Sequence, residues 1–352
     1  MRVAVVGAGR MAEIRAGALA AIDGVELCGI AARRRSRAEE FAARFRIPVS
    51  TDDYRELAST APDALLAEVP HRLQDDVVRW ALRSGMHVLA GGSLAATRPA
   101  AREIAALAAE YGLVVEAGYE ARYKRVWHAA AEMIHSGALG ELLAVQTIAL
   151  VDQDPHSWYY DEAASGGMFV THLSYAFLNP LRWILDTPET VAAIANRKAL
   201  TRAGAVRHEI CAVLLTFPGD VVCSMTAGYV RPPGMEAWDV RILGTDGALD
   251  LRPGDLEPGS LRHHPQRGPS VTRDFAPNDA FARQAAAFVA ACRGTARVRN
   301  PAEDALIDIE LCHLLAASAD EGGMRLSTTA ITAPDGAVAM NASGYRHRRR
   351  PS

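Results

Sequence analysis

The segment of the sequence that points most directly to chemistry is a glycine-rich turn near its start. A short apolar run, Arg2–Val6, leads into Gly7-Ala8-Gly9-Arg10-Met11-Ala12, and apolar residues at helical spacing follow. In this arrangement the first glycine permits a tight turn, the second lets a pyrophosphate approach the backbone, and the alanine keeps the helix close to the sheet. The N-terminus of the helix also favours negative charge. The turn therefore predicts a dinucleotide site formed by Gly7, Gly9, Arg10, Met11 and Ala12.

The end of the next predicted strand bears on which dinucleotide binds. NAD sites place an acidic residue about 20 positions beyond the glycines, where it holds the ribose 2′-hydroxyl. Here Ala32 stands at that position, and Arg33-Arg34-Arg35 follow it. Arginine binds a 2′-phosphate bidentately and stacks on adenine, whereas a carboxylate would repel the phosphate. We therefore expect NADP(H), bound by Arg33 and Arg34. NAD(H) is the less favoured cofactor, and a solvated basic loop is the structural alternative.

The order of apolar runs predicts the scaffold that positions these residues. Strand and helix patterns alternate in the first third, which indicates a doubly wound parallel sheet, a Rossmann domain, over residues 1–120. Beyond it, strand-like runs follow one another without helices between them, which is typical of an open-faced, mostly antiparallel sheet. We expect this α+β substrate and oligomerisation domain to cover 121–334. Repeated Pro and Gly in Arg252–Asp274 predict a surface excursion, and 335–352 a loose tail.

Composition excludes several classes of protein. The 352 residues include 38 Lys+Arg and 41 Asp+Glu, for a formal net charge of −3, which argues against a nucleic-acid partner. No apolar run reaches the roughly 18–20 residues that a membrane helix needs, so we expect no membrane partner. The N-terminus lacks a signal-peptide pattern, which favours a cytoplasmic protein. Five scattered cysteines argue against a disulfide framework or structural zinc, and we predict no metal site.

Several short motifs follow one another along nearly the whole chain. They are Ser50-Thr51-Asp52-Asp53-Tyr54, Pro70, His87-Val88-Leu89, Gly118-Tyr119, Arg122-Tyr123, Ser136-Gly137-Ala138-Leu139-Gly140-Glu141, Gly166-Gly167, Arg182-Trp183 and Gly244-Thr245-Asp246-Gly247. In order and spacing they resemble the Gfo/Idh/MocA family of nicotinamide-dependent oxidoreductases. The resemblance implies a small-molecule substrate held between the domains beside the nicotinamide, with Pro70, Gly91 and Gly92 at the cofactor. It also implies a homo-oligomer, a dimer or tetramer, formed through the C-terminal sheet.

The chain departs from this family where proton transfer is expected. The family has a Glu-Lys-Pro triplet one residue after His-Val-Leu, and its lysine exchanges a proton with the reacting oxygen. Here Gly91-Gly92-Ser93 occupy those positions, and the only lysines are Lys124 and Lys198. The family's Asp and His after the double glycine correspond to Thr171 and Tyr175, with His172 one step from the former. The usual acid/base set is therefore missing.

Other residues are candidates for the chemistry. Tyr175, His172 and Lys124 are the candidate catalytic groups; the structural alternatives are a packing aromatic, a satisfied buried histidine and a solvated surface lysine. The predicted substrate pocket comprises Tyr119, Arg122, Tyr123, His156, Trp158 and Tyr159. The last three lie in one loop, where aromatic rings either form a wall for a flat or hydrophobic substrate or anchor the loop.

Together these features predict an NADP(H)-dependent oxidoreductase. It would pass hydride to or from a C=N or C=O group of a specialised-metabolite or sugar-like substrate. A protonated imine would need no strong acid, which suits the missing lysine. Two alternatives stay open because the acid/base groups are absent: a non-redox lyase, cyclase or isomerase on the same scaffold, and a non-catalytic NADPH-binding sensor.

Overall fold

The protein is described here by a computed structural model that covers residues 1–154, 156–198, 206–235, 237–329 and 331. Within these residues the chain forms a six-stranded sheet and a nine-stranded sheet, both packed against helices. The predicted tail, 335–352, lies outside the described residues. In the part of the chain that is described, no helix combines the length and the apolar character needed to cross a bilayer.

The first sheet is parallel, as the alternation of strand and helix patterns predicts. Its strands are β1 (Arg2–Val6), β2 (Glu26–Ala31), β3 (Ser50–Thr51), β4 (Ala64–Ala67), β5 (His87–Ala90) and β6 (Val115–Glu116). Its helices are α1 (Arg10–Ala20), α2 (Arg35–Phe45), α3 (His71–Arg83) and α4 (Arg98–Tyr111). The strand order β3-β2-β1-β4-β5-β6 reverses direction between β1 and β4. Ligands of such sheets bind at this switch point, beyond the carboxyl ends of the strands. The predicted Rossmann fold is confirmed.

The second sheet is antiparallel apart from one pair, β7 and β10, which run parallel. Its first strands are β7 (Leu142–Leu150), β8 (Thr190–Asn196), β9 (Ile210–Phe217), β10 (Val221–Gly228) and β11 (Trp238–Gly244). The remaining strands are β12 (Gly247–Arg252), β13 (Gly259–Pro265), β14 (Val271–Phe275) and β15 (Leu326–Ser327). The helices of this half are α5 (Arg125–His135), α6 (Glu162–Ser165), α7 (Asn179–Leu185), α8 (Ala280–Cys292) and α9 (Ala302–Asp320). The predicted open-faced sheet is confirmed.

The segment Arg252–Asp274 corrects the sequence analysis, because it is not a surface excursion. Most of it forms β13 and β14, which extend the large sheet beyond β12. Alternation along β13 explains the pairing, since Leu261 is buried while Arg262 is exposed. The Pro and Gly residues that suggested a loop lie at the two ends of β13 and in the turns before and after it.

Two helical features position the site that lies between the sheets. Helix α8, far along the sequence, packs against α1, and its Phe288 and Val289 join Ala12 and Ala16 in one apolar cluster. The core beneath the glycine turn is therefore completed by the C-terminal half of the chain. A π-helix, Phe169–Leu178, precedes α7 directly and carries the predicted residues His172 and Tyr175. Such widened helical turns are frequent at functional sites.

Candidate active site

A cavity of about 1050 Å³ opens where β1, β2 and β4 end. The first sheet contributes Gly7 and Ala8, Arg33, and the segment 68–70 that follows β4. The opposite wall comes from the second half of the chain and includes His156 and Trp158. The cavity therefore joins the predicted dinucleotide turn to the predicted substrate loop at the switch point of the parallel sheet.

The glycine turn has the geometry that a pyrophosphate requires. Gly7 has a φ of +110°, and a Cβ there would lie 2.7 Å from the carbonyl carbon of Glu68, so only glycine fits. A Cβ on Gly9 would have nothing within 4 Å, which leaves open space at the N-terminus of α1. Arg10 and Met11 begin that helix, and Ala12, in its first turn, is fully buried. These residues fit a dinucleotide phosphate group.

The far end of the cavity carries charges of both signs. Arg33 and Arg34 are exposed. Arg33 lines the cavity, and Arg34 occupies the N-cap position directly before α2. Asp52 and Asp53 line the same end. The carboxylate of Asp53 accepts a hydrogen bond from the backbone N–H of Arg55 at 3.0 Å and lies 3.7 Å from its guanidinium. The arginines suit a 2′-phosphate, and the aspartates suit a ribose hydroxyl.

The backbone after β5 has its own conformation as well as small side chains. Gly92 has a φ of +59°, a left-handed conformation that a lysine at this position would adopt only with strain. Its carbonyl accepts a hydrogen bond from the N–H of Gly118 at 2.8 Å, which fixes the turn. A Cβ on Gly92 would also lie 3.2 Å from Nε2 of His71. Ser93 is buried, and its hydroxyl contacts that of Ser174 at 3.1 Å.

The carboxylate of Glu68 fills the space that a side chain at position 91 would take. A Cβ on Gly91 would lie 2.5 Å from Cδ and 2.8 Å from Oε1 of Glu68. Glu68 Oε1 lies 2.6 Å from Nε of Arg15, whose side chain is also buried. Burial raises the pKa of Glu68, the positive charge of Arg15 opposes this rise, and the nearby Glu120 adds to it. Sequence analysis missed this residue.

Tyr175 and Lys124 meet at a second carboxylate, Glu120, which is fully buried. The hydroxyl of Tyr175 donates to Oε1 of Glu120 at 2.6 Å and lies 3.1 Å from Oδ1 of Asp255. Burial, and then these two carboxylates, raise the pKa of Tyr175 well above its usual value. Nζ of Lys124 donates to the carbonyls of Gly254 at 2.6 Å and Asp255 at 2.8 Å, and lies 3.7 Å from Glu120. Lys124 is therefore a buried lysine bound to backbone carbonyls, not a solvated surface lysine.

His172 has a structural position. It is buried, and its Nε2–H donates to the carbonyl of Ala149 at 2.8 Å. Burial lowers its pKa, and the ring packs beside Tyr229 and Trp238. The hydrogen bond ties the π-helix to β7, which is the contact expected of a satisfied buried histidine.

Three residues predicted in the substrate pocket face internal partners instead. The hydroxyl of Tyr119 donates to Ser174 at 3.3 Å, and that of Tyr123 donates to Glu116 at 2.6 Å. The guanidinium of Arg122 pairs with Asp304 at 2.5 Å. All three side chains are buried. These interactions use their polar atoms inside the protein, and none of the three residues is among those that line the cavity.

The aromatic loop forms part of the cavity wall opposite the glycine turn. His156 and Trp158 line the cavity, and the ring of Trp158 packs edge-on to His71 with centroids 5.0 Å apart. Tyr159 stacks on Trp158 at 4.4 Å and contacts Tyr229 at 6.0 Å, one layer further back. The loop thus presents one aromatic face to the cavity and anchors itself with the other rings.

Comparison with known proteins identifies the family. A family model described as "Oxidoreductase family, NAD-binding Rossmann fold" matches residues 1–119. A second, described as "GFO/IDH/MocA C-terminal domain", matches residues 127–250. The chain belongs to the Gfo/Idh/MocA family. It is an oxidoreductase-family protein with an NAD-binding Rossmann fold, as its resemblance predicted.

The chain is similar in sequence to curated relatives and similar in fold to solved structures. A dTDP-3,4-didehydro-2,6-dideoxy-alpha-D-glucose 3-reductase from Streptomyces antibioticus is 26% identical over 318 residues, which cover 88% of this chain and 94% of the relative. The aldose-aldose oxidoreductase of Caulobacter crescentus, solved with glycerol, superposes with a TM-score of 0.83 at 21% identity, over 93% of this chain and 99% of that chain. A levoglucosan dehydrogenase, solved with NADH and L-sorbose, superposes with a TM-score of 0.83 at 18% identity, over 93% of this chain and 98% of that chain. The last two show likeness of fold.

Glu68 lines the cavity where β4 ends, and the neighbouring positions 91 and 92 carry no side chains. Two signals in the sequence could have identified Glu68. One is a carboxylate directly after a buried parallel strand. The other is the pair of glycines at 91 and 92, because the space left by their missing side chains must be filled by another group in a close-packed interior. Across the described parts of the chain, no three His, Cys, Asp or Glu side chains are grouped as metal ligands would be.

Proposed function

We propose that this protein is an NADP(H)-dependent oxidoreductase acting on a C=O or C=N group of a small sugar-like or specialised-metabolite substrate. The observation that carries the proposal is the cavity of about 1050 Å³, which brings the glycine turn and the aromatic loop to one space. The similarity over most of its length to a named nucleotide-sugar reductase supports a carbonyl substrate.

Different residues of the chain would bind the cofactor and orient the substrate. Gly7, Gly9 and the N-terminus of α1 would hold the pyrophosphate, and Arg33 with Arg34 the 2′-phosphate. The bound dinucleotide supplies or accepts hydride. Trp158 and His156 form a wall of the cavity that would orient the substrate and keep water from it.

Cofactor choice is tested by fluorescence titration with NADPH and NADH. Losing a hydrogen bond to a charged group removes about 1.5–3 kcal/mol, so Arg33→Ala/Arg34→Ala should weaken NADPH binding by roughly 10- to 100-fold and leave NADH binding unchanged. Arg37→Ala, whose guanidinium pairs with Glu40 on α2 at 2.8 Å, is the control. Equal binding of both cofactors by the wild type would assign this end of the cavity to Asp52 and Asp53, and thus to NAD(H).

The reaction is tested by following nicotinamide absorbance with a panel of ketones, keto sugars and imines. Substrate consumed without any absorbance change would favour the non-redox alternative. Cofactor binding without any turnover would indicate a sensor. Tyr175→Phe and His172→Ala test the predicted catalytic groups; full turnover in both would remove that assignment.

We further propose a homo-oligomer formed through the large sheet. The outer face of β8, β9 and β10 exposes Ile194, Leu214 and Val222, which are 65%, 64% and 56% accessible. Apolar side chains clustered on one sheet face favour association with a second copy. Light scattering should show a dimer or tetramer, and Leu214→Asp should reduce its mass. A monomeric wild type would refute this.

A further inference from the structure

We infer that Glu68 is the residue that exchanges a proton with the reacting oxygen or nitrogen of the substrate, in the role that the missing triplet lysine would have. The inference rests on the proposed oxidoreductase function. It concerns a side chain that neither the sequence pattern nor the likeness to known proteins singles out.

The first argument is position. Glu68 directly follows β4, one of the two strands at the switch point, and it lines the cavity together with Gly7 and Pro70. Its side chain is about one-tenth exposed, so the carboxylate is largely withdrawn from solvent but borders the cavity. A group that exchanges protons with a bound substrate needs this combination of access and dryness.

The second argument is packing between the residues that follow β4 and those that follow β5. Positions 91 and 92 carry no side chains, and the carboxylate of Glu68 occupies the volume beside Gly91. The positive φ of Gly92 disfavours the return of a lysine there. The loop after β5 is thus shaped to receive a carboxylate from β4. If the acid/base groups had been lost without replacement, an acidic side chain would not be required in that space.

The third argument is charge. Glu68 pairs with Arg15 at 2.6 Å, and Arg15 donates to the carbonyl of Gly118 at 2.6 Å and to the amide oxygen of Gln284. These contacts fix the guanidinium, which in turn holds the carboxylate in place. Glu120, 3.7 Å from Arg15, draws part of the same positive charge. Burial and this competition leave Glu68 more basic than a surface carboxylate, as proton exchange requires.

The proton balance can be written for oxidation of an alcohol. The C–H and O–H bonds break and a C=O bond forms; hydride leaves the carbon for the oxidised nicotinamide that the proposed function supplies, and the hydroxyl proton passes to the Glu68 carboxylate. In reduction each transfer runs backwards, and the protonated Glu68 gives its proton to the carbonyl oxygen or imine nitrogen, which becomes the hydroxyl or amine of the product.

The test compares Glu68 with a second buried carboxylate outside the cavity. Glu116 on β6 is fully buried, and its Oε1 accepts a hydrogen bond from Tyr123, which glutamine can also accept. Proton transfer by a positioned group contributes typically about 10²- to 10⁴-fold, so Glu68→Gln should lower kcat by that factor while Glu116→Gln stays near wild type. NADPH affinity, measured by fluorescence, should be unchanged in both variants. Formate should partly restore turnover to Glu68→Ala and not affect Glu116→Ala.

Each contrary result has a distinct meaning. Turnover retained by Glu68→Gln would overturn the inference. So would a combined loss of NADPH binding and turnover without formate rescue, because Glu68 would then only support the fold of the turn. A wild-type protein that binds NADPH but turns over none of the panel would refute the proposed function itself, and the inference with it.

Discussion

Gly91→Ala tests the placement of Glu68 without any substrate. The added Cβ would lie 2.5 Å from Cδ of Glu68, so the carboxylate must move by roughly 1 Å to reach ordinary contact distance. The backbone of Gly91 is not left-handed, and alanine brings no conformational strain there. The cost of the substitution therefore comes from displacing the carboxylate and stretching its 2.6 Å contact with Arg15.

The size of the effect follows from overpacking in a filled interior. Overpacking substitutions lower the free energy of unfolding by about 1–3 kcal/mol. Replacing a glycine raises it by about 0.4–1 kcal/mol, because the new residue restricts the unfolded chain. We expect Gly91→Ala to lower the free energy of unfolding by about 1–2 kcal/mol. A carboxylate displaced by about 1 Å should also lower turnover by roughly 10²-fold.

Urea unfolding without cofactor measures this in a double-mutant cycle. In a Glu68→Ala background the clashing group is absent, so Gly91→Ala should be neutral or slightly stabilising, with a coupling energy of about 1–3 kcal/mol. Gly17→Ala is the control, since a Cβ there meets only Phe45 Cε1, at 3.8 Å. Equal costs of Gly91→Ala in both backgrounds would refute the placement of the carboxylate.

Three further predictions concern buried charges. Burial raises the pKa of Glu116 from 4.5 to about 7, so this group's contribution to stability is full below pH 4.5 and falls as pH rises to 7, by on the order of 3 kcal/mol. Glu116→Gln should flatten that decline in unfolding experiments from pH 4.5 to 8; parallel curves would contradict it. Arg182→Met, which leaves Asp308 buried without its 2.8 Å partner, should destabilise by about 3–5 kcal/mol in urea; unchanged stability would refute this. Lys124→Met should cost about 3 kcal/mol in the same assay, and the exposed Lys198→Met less than about 0.5; equal effects would mean that Lys124 is solvated.

Much of the first half of the molecule follows from local pattern. The glycine turn between Arg2–Val6 and α1 dictates a tight backbone path, and the alternation of strands and helices permits little besides a doubly wound sheet. In the second half, strand-like runs that follow one another without helices between them indicate a mostly antiparallel sheet. The prediction of a loop over Arg252–Asp274 was wrong, because the prolines and glycines at the ends of β13 and in the turns beside it outweighed the alternation of the residues between them.

The roles of individual site residues could not be predicted in this way. The sequence marks Lys124 as one of two lysines, but its fate depends on the carbonyls of Gly254 and Asp255, 130 residues further along the chain. Likewise, Arg122 looked available for a substrate until the fold brought Asp304 to it. A polar side chain is functional or structural according to which distant groups satisfy it, and spacing in sequence does not carry that information.

The sequence by itself therefore determined the family, the two sheets and the glycine turn, because each depends on short-range spacing. Tertiary structure alone decided that the carboxylate of Glu68 lies in the space beside Gly91, next to Arg15 and facing the cavity. The physical reason is that close packing acts between strands that are neighbours in space, β4 and β5, while a motif records only neighbours along the chain.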